Sequence, residues 1–320
     1  VRGSRLLAAA VVAAYVTATS AGWATAVPLP EQDSFYTVPP GIADLPNGTI
    51  LASRPIDARS YFQPLAADAW QVQYKTVDNR NEPSAYIATI LVPQQEWPGA
   101  GPRPLLSYQV AEDGVGTKCA PSYALRGGLG GGPSNSFSET GMIGIALQQG
   151  WAVVVPDYQG PNSDFSGADG YAHGVLDGIR AAKTFPPAAV DPAAPVGLWG
   201  YSGGAQATAV AAQAQRAQLE AWPGSLTDNA ELSRVIRSTS PLFRAGAPIA
   251  PVLIYHALND EFAPVDSARS LAEKYCAAGT PVQRVENPLG EHGTEAAAGL
   301  PAALTYLSDR FSGRPAPSTC

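Results

Sequence analysis

The sequence is poor in charge, in histidine and in cysteine, and each shortage excludes something. Charged residues are 15% of the 320, with 20 Lys and Arg against 27 Asp and Glu, giving a net charge of −7. No basic stripe is available to meet phosphates, so nucleic acid is excluded as a partner. The three histidines and three cysteines are scattered without ligand spacing, so no metal and no cofactor is expected. No apolar run approaches the ~20 residues a membrane-spanning helix needs. Pro (30) and Gly (32) are plentiful but aperiodic, which removes collagen-like and disordered classes. There is no internal repeat.

What is present suits a large core: 45% of residues are hydrophobic, in a chain long enough for one large α/β domain or two small ones. Residues 1–26 place Arg2 and Arg5 before the apolar run Leu6–Val16 and end in Ala24-Thr25-Ala26. This is the pattern of an export signal cleaved near Ala26, and it predicts a secreted protein. Export permits disulfides. The cysteines are Cys119, Cys276 and Cys320, so at most one bridge forms within the chain and one thiol is left over.

Residues 27–66 are rich in Pro and turn residues and read as an N-terminal arm. WQVQYKTVD (70–78) and SAYIATILVP (84–93) alternate apolar with polar residues around NRNEP, an antiparallel hairpin. Four short apolar runs follow: PLLSYQV (104–110), WAVVVPD (151–157), PVGLWG (195–200) and PVLIYHA (251–257). Helical stretches separate them, among them MIGIALQQG (142–150) and YAHGVLDGIRAAKTF (171–185). The alternation predicts an α/β fold with a mostly parallel central sheet covered by helices on both faces.

At 200–204 the chain reads GYSGG, between the run PVGLW and the alanine-rich AQATAVAAQAQ. A glycine-rich loop would match G-x-S-x-G by chance. The flanking strand and helix instead make it a nucleophile elbow, with Gly200, Tyr201 and Gly204 around Ser202. The new helix turns its free N–H groups toward Ser202, and that of Gly203 is one oxyanion donor. Only His256 and His292 follow the serine. His256 lies inside VLIYHA and reads as a core or strand-end residue, whereas His292 sits in the loop NPLGEHGTEAAAG, free to act as base. For the acid, Asp228, Asp260 and Asp266 compete, with Glu261 as fallback. Asp260 is favoured because it directly follows a strand, at the end where α/β sites gather. Asp266 reads as a helix cap. The second oxyanion donor falls within residues 111–116, after the strand PLLSYQV.

YQVAEDGVGTKCAPSY, GWAVVVPDYQGPNSDF, HGVLDGIRAA, GYSGGAQAT, YHALNDEFAP and GEHGTEA, in this order, resemble the secretory lipases, over about residues 60–312. The resemblance implies an α/β-hydrolase fold with a cap, hydrolysis of triacylglycerols and other esters, and Ser202, Asp260 and His292 as the triad. It also implies Asp113 with Gly203 as oxyanion donors, and a Cys276–Cys320 bridge. One departure stands out. The family has a further strand and a long cap between the nucleophile helix and the acid strand; here that strand and the first part of the cap are missing, as is the partner of Cys119.

The division expected is signal 1–26, arm 27–66, hydrolase core 67–212 and 249–320, and a residual cap or linker 213–248. The predicted protein is a monomer acting on a lipid or other ester, with transient contact to a lipid interface. Two readings compete: a serine peptidase or acyltransferase on the same fold, since a triad does not set the substrate, and an impaired hydrolase serving as a binding protein after loss of its cap.

Overall fold

The computed structural model describes residues 27–129, 134–165, 167–217 and 240–320. The export signal expected at residues 1–26 and most of the residual cap expected at 213–248 lie outside the described residues.

The arm is more ordered than its composition suggests. It carries β1 (Ile50–Pro55) and the two-residue strands β2 (Arg59–Ser60) and β3 (Gln63–Pro64). β4 (Ala67–Val77) and β5 (Pro83–Pro93) form the expected hairpin, in register from Ala67↔Pro93 to Val77↔Pro83. Its turn is held by Asp78 Oδ1, which accepts the N–H groups of Arg80 and Glu82 at 2.8 and 2.9 Å. Buried Gln71, Gln73 and Lys75 explain how the arm stays down. The Gln73 amide donates to Phe35 O and Thr37 O, and Lys75 Nζ reaches Asn47 Oδ1.

The alternating part follows. β6 (Leu105–Gln109) leads through a loop to the single turn α1 (Pro121–Ala124) and to α2 (Asn135–Gln148). Then come β7 (Ala152–Pro156), α3 (Ala168–Thr184), β8 (Val196–Gly200) and α4 (Gly203–Ala217). The last part is β9 (Val252–Ala257), α5 (Val265–Ala277), β10 (Val282–Asn287), α6 (His292–Ala298) and α7 (Leu300–Phe311).

The main sheet has the order β1-β4-β5-β7-β6-β8, with β6 parallel to both β7 and β8. On one face, Leu106, Tyr108, Val153, Val155 and Trp199 pack with residues of α2 and α7. On the other, Leu105, Ala152 and Val154 pack with Ala181 and Ala182 of α3, and α4 packs on α3 beside them. Burial on both faces is why these strands read as unbroken apolar runs.

β9 does not join this sheet. Among the described residues it pairs in parallel with β10 alone, from Val252↔Val282 to Ala257↔Asn287, and α5 covers the pair. Between β8 and β9 the hydrogen-bonded sheet is interrupted among the described residues, where the sequence predicts a missing strand. Cys276 and Cys320 are bridged, tying the C-terminal tail to α5, while Cys119 is free. Asp266 is not the cap that its position suggested. Pro264 holds the N-cap position of α5, and Asp266 lies in the first turn, bonded to Arg269 at 3.0 Å.

Candidate active site

Ser202 stands on the two-residue turn between β8 and α4 with φ 51°, in the left-handed region that a residue with a side chain enters at a cost of about 1–3 kcal/mol. The turn is fixed by bonds from Gly204 N to Tyr201 O (2.8 Å) and from Ala205 N to Ser202 O (2.9 Å). The glycines on either side are required sterically. A Cβ on Gly200 would meet the Gly204 carbonyl, and one on Gly204 would meet the Gln109 carbonyl at the end of β6.

Asp260 and His292 are delivered by the smaller sheet. Asp260 follows β9, and its Oδ1 accepts the N–H groups of Phe262 (3.0 Å) and Ala263 (2.7 Å), closing a tight turn. His292 opens α6 behind a reciprocal cap, in which the Glu291 side chain and Thr294 Oγ1 satisfy each other's backbone N–H. Its Nε2 lies 2.9 Å from Ser202 Oγ and its Nδ1 lies 2.8 Å from Asp260 Oδ2. An ionised carboxylate only accepts, so Nδ1 carries the proton and Nε2 is left to accept from the serine hydroxyl. The Asp260 side chain is 3% exposed. Burial pushes its carboxyl up, but the bonds from Ala263 N–H, His292 and Phe262 N–H together outweigh it and hold the group below the usual range. The structure thus brings together three residues that the sequence separates by up to ninety positions.

The alternatives fall elsewhere. Glu261 accepts the backbone N–H of His292 at 2.9 Å instead of the ring. His256, at the end of β9, donates from Nε2 to Ala263 O at 2.8 Å and so braces the Asp260 turn. His173 is on α3, and Asp228 lies outside the described residues.

Asp113 follows β6 with φ 37° and lies against Gly203, where any side chain would run into the Asp113 carboxylate. Burial raises the Asp113 carboxyl, against the opposing pull of Asn135 and His292. Sequence reasoning missed what holds this loop. Glu139 of α2 is half-buried, accepting from Ala111 N at 3.0 Å and from the Tyr108 hydroxyl at 2.8 Å. Burial pushes it up to about 7 against those two bonds. Glu112 and Asp157 are buried, and desolvation raises both. A cavity of about 470 Å³ opens beside Ser202 and His292 and runs between β8 and β9.

A mixed sheet whose parallel strands β7, β6 and β8 are covered by helices on both faces, with a serine on a strand-to-helix turn, defines the class: an α/β-hydrolase. The secretory lipase family model matches residues 135–219 and 221–319. The chain belongs to the secretory lipase family. It is 30% identical to a Mycobacterium tuberculosis protein named "probable inactive lipase", over 90% of this chain and 83% of that one. It is 29% identical to lipase A of Arthroderma benhamiae, over 89% of this chain and 80% of that one. The crystal structure of Candida antarctica lipase A superposes with a TM-score of 0.78, at 24% identity, covering 92% of this chain and 89% of that one. The family is one of lipid ester hydrolases.

Proposed function

We propose that this protein is a secreted carboxylic-ester hydrolase that cleaves triacylglycerols or related lipid esters through an acyl-enzyme on Ser202. The observation that carries the reading is the hydrogen-bonded sequence Ser202 Oγ, His292 and Asp260, at 2.9 and 2.8 Å. His292 Nε2 takes the hydroxyl proton as Oγ attacks the ester carbonyl, then returns it to the leaving alcohol. Water attacks the acyl-enzyme in turn, with its proton taken by the same nitrogen. Asp260 holds the tautomer and balances the imidazolium without itself taking the proton. The N–H groups of Asp113 and Gly203 stabilise the oxyanion, a role in which loss of one donor costs about 10²–10³ in kcat.

The export signal ending near Ala26 and the secretory character of the family support an extracellular site of action. The core is read as two parts, 67–212 and 249–320, joined through a residual cap at 213–248. The protein works as a monomer on a lipid or other ester substrate, meeting the lipid interface transiently.

A second reading is favoured by one specific observation. The interruption of the sheet lies between the strand bearing Ser202 and the strand bearing Asp260, and a relative carries an inactive label. On that reading the protein is a binding protein of the hydrolase fold. Hydrolysis of p-nitrophenyl butyrate by the wild type, lost in Ser202→Ala with unchanged circular dichroism, supports the enzyme. A folded wild type without hydrolysis leaves the binding protein.

A further inference from the structure

Among the described residues β8 is paired only with β6, and β9 only with β10, so among these residues each presents one open edge to the other. Their carboxyl ends lie together, since Ser202 follows β8, Asp260 follows β9, and His292 joins them. The cavity of about 470 Å³ occupies the space between the two edges. It begins at Ser202 and His292 and reaches Pro195 and Pro251, which precede the two strands. Ala209 and Ala212 of α4 wall one face, and Ala303 and Leu307 of α7 wall the other. This is a slot in the plane of the sheet, one strand deep and roofed by helices.

We propose that this slot holds the acyl chain of the substrate, and that the preferred substrates are esters of unbranched chains of about twelve carbons. The proposal rests on Ser202 as nucleophile and adds the substrate class. An acyl carbonyl on Ser202 has its tail at the mouth of the slot, whose lining includes Leu198, Leu253 and alanines. Five strand residues at ~3.3 Å each give about 16 Å of depth, which an extended chain fills with roughly twelve carbons. The far end is polar. The Arg310 guanidinium lies over the Tyr306 ring at 4.9 Å, and the buried Tyr275 hydroxyl has no hydrogen-bond partner among the described residues. A longer chain would press its apolar end against these polar side chains, a cost that sets the upper limit of length. The competing occupant is an extended polypeptide strand, which could pair with both edges. The nucleophile at the mouth and the apolar helix walls favour the acyl chain.

Two plugs at different depths test the slot. Ala209 and Ala212 face it from α4, three residues apart, or about 4.5 Å of helix, equivalent to three or four methylenes. The kcat/KM values of p-nitrophenyl esters from C2 to C16 are compared for wild type, Ala209→Trp and Ala212→Trp. Laurate binding by all three is measured by calorimetry. The wild type is expected to peak near C12, each added methylene below that giving at most about fourfold. Ala209→Trp should peak at the shortest chains and Ala212→Trp three or four carbons later. Both should lower the ratio of the C12 to the C2 rate at least tenfold, and both should weaken laurate. Three parallel profiles with laurate binding unaffected by the plugs would overturn the slot and leave the Ser202 reading standing. So would a dimer in sedimentation that either plug dissociates while the profiles stay parallel, the mark of a strand from a second copy. Laurate binding that Ala209→Trp weakens tenfold, in a protein that hydrolyses nothing, would keep the slot and sink the catalytic reading.

Discussion

The indole N–H of Trp199, on β8, donates to the hydroxyl of Tyr255, on β9, at 3.2 Å. It crosses the interruption in the sheet, where no backbone ladder runs among the described residues. Beside it, Tyr201 and Tyr255 stack with centroids 6.0 Å apart, and the Tyr201 hydroxyl donates to the His292 carbonyl. Side chains therefore align the sheet that carries Ser202 with the one that delivers Asp260 and His292.

Tyr255→Phe removes that bond and keeps the ring. The expected loss is about 1 kcal/mol, or roughly 2–4 °C in melting temperature. A fall in kcat of severalfold with little change in KM should accompany it, because the misalignment acts on the relay. Differential scanning fluorimetry and butyrate ester kinetics check both.

Histidine substitutions should separate base from brace. His292→Ala should lower kcat by at least ~10⁴. His256→Ala, which frees the Ala263 carbonyl, removes a ring nitrogen 3.7 Å from Asp260 Oδ2 and loosens the Asp260 turn, should cost a few degrees of melting temperature and less than tenfold in kcat. Equal inactivity of two equally folded variants would contradict the assignment.

The buried carboxyls predict an unusual pH dependence. Glu139 is held up at about 7 by burial, so between about pH 4.5 and 7 the folded state binds a proton that the unfolded chain releases. Stability from this group is complete below pH 4.5 and is lost as pH rises through 7, up to about 3 kcal/mol. Glu112 and Asp157, raised by the same burial, act in the same direction. Asp260, held low, acts oppositely and only under acid conditions. Urea titrations at pH 5 and 8 should show a loss on going to pH 8 that Glu139→Gln reduces. Glu139→Gln should also flatten the alkaline side of any kcat profile that depends on the loop bearing Asp113.

Much of the core was legible because burial on both faces writes continuous apolar runs, as in AVVVP and VGLWG. Gly200 and Gly204 were legible because close approach to β6 admits nothing larger. β10 was not: VQRVEN is half-buried and charged, with Arg284 and Glu286 paired on its surface at 2.9 Å. β1 was hidden in a Pro-rich arm, since its pairing with β4 is decided by a distant partner. Glu139 escaped notice because a glutamate within a helix ordinarily faces water, and its burial depends on the loop after β6. His292 and Asp260 could be narrowed by elimination, but the Trp199–Tyr255 bridge is set wholly by tertiary packing.

Cysteine chemistry offers an independent check. Non-reducing peptide mapping should recover Cys276 linked to Cys320, with Cys119, which is partly exposed, alkylated in the native protein. The bridge closes a separation of 44 residues. Replacing both cysteines by serine should cost about 4 kcal/mol in the chain-entropy account, with the acetate ester rate unchanged.

The most direct measurement is covalent labelling with a fluorophosphonate, read by intact mass and peptide mapping. A single adduct is expected on Ser202, absent in Ser202→Ala and slowed at least ~10³-fold in His292→Ala, because the hydroxyl needs its proton taken by the ring. Ester hydrolysis proceeding without an adduct, or an adduct on another residue with Ser202 unmodified, would contradict the assignment of Ser202, His292 and Asp260 as the catalytic relay.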